Sequence, residues 1–79
     1  MRLDLFLKKT MIIKRRVVAK DIVDSGHAFI NDKIAKPSSE VKDGDKITIH
    51  LGGKNKSFIA VIEKRKDKEF PSFEILNEA

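Results

Sequence analysis

Residues Lys14 to Lys33 read KRRVVAKDIVDSGHAFINDK, and the fold follows from how this stretch is parsed. Three consecutive cations, Lys14, Arg15 and Arg16, lead into a short amphipathic segment. Val18, Ala19, Ile22 and Val23 recur at spacings of three and four, which predicts a helix from about Arg15 to Ser25 with those four on its buried side. Arg16 and Lys20 are four apart and point the other way, so one face is apolar and the other carries fixed positive charge. Lys20 and Asp24 stand at i,i+4, a spacing that favours an ion pair worth a few tenths of a kcal/mol. Gly26 suits the left-handed position just past a helix C-terminus. Ala28-Phe29-Ile30 and Ile34-Ala35 then read as two strands closed by Asn31-Asp32, a tight turn whose central residues both need positive φ.

Upstream, Met1 to Lys9 is predicted as a first short helix. Leu3, Phe6 and Leu7 form its buried stripe, Asp4 is placed to cap free N–H groups, and Lys8 and Lys9 suit the C-terminal end of the dipole. Two turns are not stable alone, so this helix must pack on something. Met11, Ile12 and Ile13 are expected to bury the connection. Downstream, Pro37-Ser38-Ser39 reads as a loop, Val41 as an isolated apolar anchor and Lys42-Asp43-Gly44-Asp45 as a turn. Lys46 to Leu51 alternates, with Ile47, Ile49 and Leu51 inward and Lys46, Thr48 and His50 outward, as in a half-buried antiparallel strand. Gly52 to Lys56 reads as a flexible loop, Phe58 to Ile62 as a further strand, Lys64 to Lys68 as a charged turn or strand extension, and the segment around Pro71 as an edge. The expected class is α+β: two short N-terminal helices on a small antiparallel sheet of four or five strands. The core of this single domain is expected in residues 1–51, with 52–79 as a C-terminal strand extension.

Seventy-nine residues allow one small domain with a thin core. The absence of Cys excludes disulfides and thiolate metal sites. No apolar run approaches the roughly 20 residues of a membrane span, and MRLDLF meets Lys8 and Lys9 too soon for a secretion signal, so a cytoplasmic location is expected. The formal net charge is +5 and it is one-sided: residues 1–36 hold nine Lys/Arg against four Asp/Glu, whereas residues 37–79 hold eight of each. Concentrated basic charge on a helix face points to a polyanion. His27 and His50 are the only histidines. Without a thiol, a nucleophile motif or a Gly-rich phosphate loop they support neither catalysis nor a metal centre, and no cofactor is expected.

The candidate RNA-binding residues are therefore Arg2, Asp4, Lys8, Lys14, Arg15, Arg16, Lys20, His27, Lys33 and Lys36. Arg16 leads them, because its helix position sets where it points and guanidinium offers a planar fork to phosphate. Asp4 can pair with Arg16, and an ion pair that orients the guanidinium is compatible with phosphate binding. The chain has neither Trp nor Tyr, so the stacking platforms of single-strand binders are missing; Phe6 and Phe29 are expected in the core. Structured RNA held through backbone and shape fits better. A DNA-reading helix-turn-helix fits less well, because the second helix carries few side chains that read base edges. Residues 63–69 look like a basic patch, but four cations stand there against three anions.

The order Arg2-Leu3-Asp4, Arg16-x-x-Ala19-x-x-Ile22-Val23, Gly26, Ile30-Asn31, Pro37, Val41 and Gly44-Asp45-x-Ile47 resembles the S4-type RNA-binding domain over about residues 1–51. With its MRLDLFLKK opening and KRR cluster, the chain is similar to the stand-alone bacterial RqcP group, related to the heat-shock protein 15 family. That resemblance implies two helices on a small antiparallel sheet, and binding to structured rRNA or tRNA. It further implies a factor acting on 23S rRNA and peptidyl-tRNA of stalled large ribosomal subunits, alongside an RqcH-type factor that adds alanine tails. Family binding roles map onto Arg2, Asp4 and Arg16. Arg15 stands where the family often has Ser or Thr at the helix start, and Asp32 stands where it usually has Gly.

The resulting expectation is a monomeric, non-enzymatic RNA-binding protein. If about five phosphates are neutralised, the log–log salt slope should be of order −4. The competing class is a protein-interaction module, or a ribosome-assembly factor, that uses the sheet edge or the Phe58–Ile62 strand instead of the basic helix. It predicts salt-insensitive binding and tolerance of Arg16→Ala.

Overall fold

In the computed structural model, which describes residues 1–78, the chain runs α1 (Leu3–Lys9), α2 (Arg16–Asp24), β1 (Ala28–Ile30), β2 (Lys33–Ile34), β3 (Lys46–Leu51), β4 (Lys54–Arg65) and β5 (Lys68–Glu78). The strands form one antiparallel sheet in the order β2-β1-β3-β4-β5. The expected α+β class is what the chain adopts. Leu3, Phe6 and Leu7 of α1 and Ala19 and Val23 of α2 are buried in one core with Ala28, Ile47, Ile49, Phe58 and Ala60 of the sheet. Ile13, Ala35 and Val41 seal it from the connections.

Local chemistry explains the joints. The end of α2 is a Schellman motif: Gly26 N–H donates to the Val23 carbonyl at 3.0 Å and His27 N–H to the Ile22 carbonyl at 3.2 Å, with Gly26 at φ +78°. Asn31 and Asp32 both take positive φ, 51° and 68°, as the hairpin turn demands. Asn31 also ties this turn to the start of β3. Its Nδ2 donates to the Asp45 carboxylate and its Oδ1 accepts from Lys46 N–H, each at 3.0 Å. Asp32 pairs with Lys46 at 3.4 Å.

Several expectations are corrected. The first helix starts at Leu3, because Arg2 is extended and bridges Glu40. Leu3 N–H donates to the Ser39 carbonyl at 2.8 Å and Asp4 N–H to the Pro37 carbonyl at 3.1 Å, so a distant loop satisfies those donors of α1. Met11 is 60% exposed; it takes the left-handed position that ends α1 (φ 64°), which turns its side chain away from the core. Arg15, which helical geometry puts near the apolar side and so equally fits the entry loop, is an extended N-cap with no capping side chain, outside α2. Val18 is 42% exposed, because α2 buries a stripe of only Ala19 and Val23, with Ile22 at its margin. Among the described residues no ion pair joins Lys20 to Asp24. Phe29 is half-buried and packs its ring on His50 at 4.8 Å. Leu51 is largely exposed at the end of β3.

The largest difference is downstream. Gly52 and Gly53 alone make the turn, both at positive φ, and the strand expected over Phe58–Ile62 spans twelve residues. β4 is paired on both sides, so it is not a free edge; β5 and β2 are the edge strands.

Candidate nucleic-acid interface

Asp4 is the centre of the basic surface. It is 2% exposed, the one buried charged residue among those described. Its Oδ1 accepts Leu5 N–H at 2.8 Å and lies 3.3 Å from Arg2 Nε. Its Oδ2 accepts from an Arg2 terminal nitrogen at 3.3 Å and lies 3.7 Å from Arg16 Nε. The two arginine side chains are about half exposed, 53% and 52%. A buried carboxylate thus holds two guanidiniums by one edge. No contact among the described residues occupies the terminal nitrogens of Arg16, which leaves a directed fork for an anion.

Arg2 also belongs to a surface groove of about 520 Å³ between α2 and the segment following β2. Lys20 and Lys36 line it, with Asp24 as the opposing charge and Gly26, Pro37 and Ser38 as its small wall residues. Arg2, Asp4, Arg16, Lys20 and Lys36 therefore converge through Arg2. The other candidates are not drawn in by any hydrogen bond or ion pair among the described residues. Lys8 is exposed on the last turn of α1, and Lys14 and Arg15 are exposed on the connection before α2. His27 is exposed, and its carbonyl accepts His50 N–H at 2.8 Å. Lys33 is exposed on the outer strand β2. Sequence reasoning missed Asp24 and Ser38 as groove residues. Nothing in their local pattern brings them together, since the groove exists only once α2 packs beside the loop after β2. Among the described residues no cluster of His, Asp or Glu could hold a metal ion, and no helix is long and apolar enough to cross a membrane.

Residues 1–47, which contain α1, α2, the first hairpin and the start of β3, match the S4 domain. The chain belongs to the S4 domain family. Its S4 region places the Arg2–Asp4–Arg16 cluster and the groove at one surface. Curated relatives named RQC P-site tRNA stabilizing factor include a Bacillus subtilis protein, 52% identical over 54 residues, which are 68% of this chain and 63% of that protein. A Streptococcus pneumoniae protein of the same name is 42% identical over 67 residues, 85% of this chain and 74% of its own length. The match to the Bacillus protein thus spans less than two thirds of its length. Among solved structures, trimeric heat shock protein 15 of Vibrio cholerae superposes with a TM-score of 0.70 at 37% identity, covering 86% of this chain and 67% of that one.

Proposed function

We propose that this S4 protein is a non-enzymatic RNA-binding factor of the bacterial large ribosomal subunit that stabilises peptidyl-tRNA during quality control of stalled complexes. The observation that carries this reading is the buried Asp4 carboxylate gripping two half-exposed arginines. The arrangement spends a buried charge on aiming guanidiniums at solvent, which suits recognition of a phosphate held at a defined place. The names borne by the relatives support tRNA as one ligand, and the S4 match supports RNA as the ligand class.

In this reading Arg2 and Arg16 contact phosphates directly. Lys20 and Lys36 follow the backbone along the groove, and Lys8, Lys14, Arg15, His27 and Lys33 form a cationic periphery. The partners are 23S rRNA, tRNA and an RqcH-type tailing factor; the acting form is a cytoplasmic monomer. The test is sucrose-gradient co-sedimentation of wild type and Arg16→Ala with vacant large subunits and with large subunits carrying peptidyl-tRNA. Wild type should prefer the peptidyl-tRNA particle and Arg16→Ala should lose it. Failure of wild type to bind either particle at low salt refutes the ribosomal assignment.

A further inference from the structure

By composition residues 63–69, EKRKDKE, are close to neutral. The fold sorts their charges unequally. β4 pairs with β3 only from Lys54 to Ile59. Beyond that, the turn before β3 holds its edge: Gly44 N–H donates to the Ala60 carbonyl and Ala60 N–H to the Asp45 carbonyl, both at 2.8 Å. Ile62 N–H donates to the Asp43 carboxylate at 2.9 Å. Past Ile62 the sheet gives the hairpin only its own ladder, Glu63 opposite Phe70, Lys64 opposite Glu69 and Arg65 opposite Lys68, and Glu69 reaches the Met1 amino group. It turns at Lys66-Asp67, both at positive φ, 47° and 65°. Three strand residues at about 3.4 Å each carry this tip about 10 Å beyond its last tie to the sheet.

On that arm the pairs leave lysine in excess. Glu63 is bound to Arg65 at 2.8 Å, and the Arg65 guanidinium lies over the Phe70 ring at 5.9 Å. Glu69 lies 3.9 Å from the amino group of Met1. Lys64, Lys66 and Lys68 make no ion pair among the described residues, all three are exposed, and Asp67 is the remaining acid. Lys68 shares a surface groove with Lys9 of α1, in which Asp67 and Glu69 also stand. Met1 links it to the other cluster, since its backbone carbonyl accepts Val41 N–H at 2.7 Å and the next residue is Arg2.

We propose that the β4–β5 hairpin tip is a second phosphate-binding element, in which Lys64, Lys66 and Lys68 contact the backbone of the same structured RNA that Arg2 and Arg16 engage. This rests on RNA being the ligand of the arginine cluster. Lysine is a point charge that meets phosphate without a fixed orientation. Phe70, 49% exposed beneath the Arg65 guanidinium, is the one large apolar side chain beside the tip, and the three lysines outnumber it there.

The test is fluorescence anisotropy of a labelled RNA stem-loop of about 20 base pairs across a salt series, a length that spans about two helical turns. Wild type is compared with K64Q/K66Q/K68Q, Arg16→Ala and Lys54→Gln, the last removing an exposed charge from the other end of β4. Each lost phosphate contact lowers the log–log slope by roughly 0.9, so the triple variant should lose about 2–3 units of slope and at least about tenfold in affinity at low salt. Lys54→Gln should leave both near wild type. The turn variant Lys66→Gln, which touches no strand pairing, should show about a third of the slope change. If the triple variant keeps wild-type slope and affinity while Arg16→Ala loses binding, the arm is refuted and the RNA reading stands. If wild type itself shows a slope near zero, both fall.

Discussion

Replacing Asp4 by Asn tests whether one buried carboxylate organises the basic surface. The substitution keeps shape and keeps an acceptor for Leu5 N–H, the 2.8 Å bond inside α1. It removes the charge that faces Arg2 at 3.3 Å and Arg16 at 3.7 Å. Because both arginines are half exposed, solvent screens each pair, and each is worth at most about 1 kcal/mol. The new amide group also points N–H donors at guanidinium donors in a buried site, which adds a further cost of about 1 kcal/mol. The sum is a loss of about 1–3 kcal/mol, or roughly 5–20 °C in melting temperature for a domain of this size. Urea and thermal unfolding followed by circular dichroism measure it. A double-mutant cycle with Arg16→Ala then isolates the pair, with an expected coupling of about 0.5–1 kcal/mol. RNA affinity gives an independent sign: Asn raises the net charge by one, yet binding should fall because Arg16 loses its orientation. A variant that melts with wild type and binds RNA more tightly would refute the organising role of Asp4.

Gly26→Ala should cost about 1–2 kcal/mol in urea unfolding; a Cβ there meets nothing within 4 Å, so the cost is the left-handed backbone alone. Asp32→Gly should stabilise the first hairpin by about 0.5 kcal/mol in the same assay, since the relief at φ 68° outweighs the exposed ion pair to Lys46. Val18→Lys should change stability by under about 0.5 kcal/mol, whereas Val23→Lys, at a site 1% exposed, should abolish cooperative thermal unfolding.

What was legible in the sequence was whatever is written within a few residues. The α1 stripe of Leu3, Phe6 and Leu7, the stop at Gly26, the turn at Asn31-Asp32 and the alternation of β3 all follow from backbone sterics and side-chain period. Neighbouring residues alone decide those, and the structure has them in place. The S4 motif order was legible for the same reason, being a series of such local choices.

The misreadings lie where a distant element decides. Val18 has the right spacing to be buried, but α2 meets its neighbours along a narrower line than its apolar side offers. Gly52-Gly53 looks like the start of a long loop until the β3–β4 ladder is seen to resume at once at Leu51 and Lys54. The charge count of residues 63–69 stands, but which acids are paired was not legible, because that depends on contacts to Met1 and on the hairpin register. The sequence by itself determined the class of fold, the basic N-terminal half and the arginines to watch. Only the tertiary structure decided that Asp4 is buried and lies between Arg2 and Arg16. Arg16 comes from another helix, and the free donors of α1 are met by carbonyls of Pro37 and Ser39. Burial and charge pairing are set by what packs across the chain, whereas turns and periods are set along it.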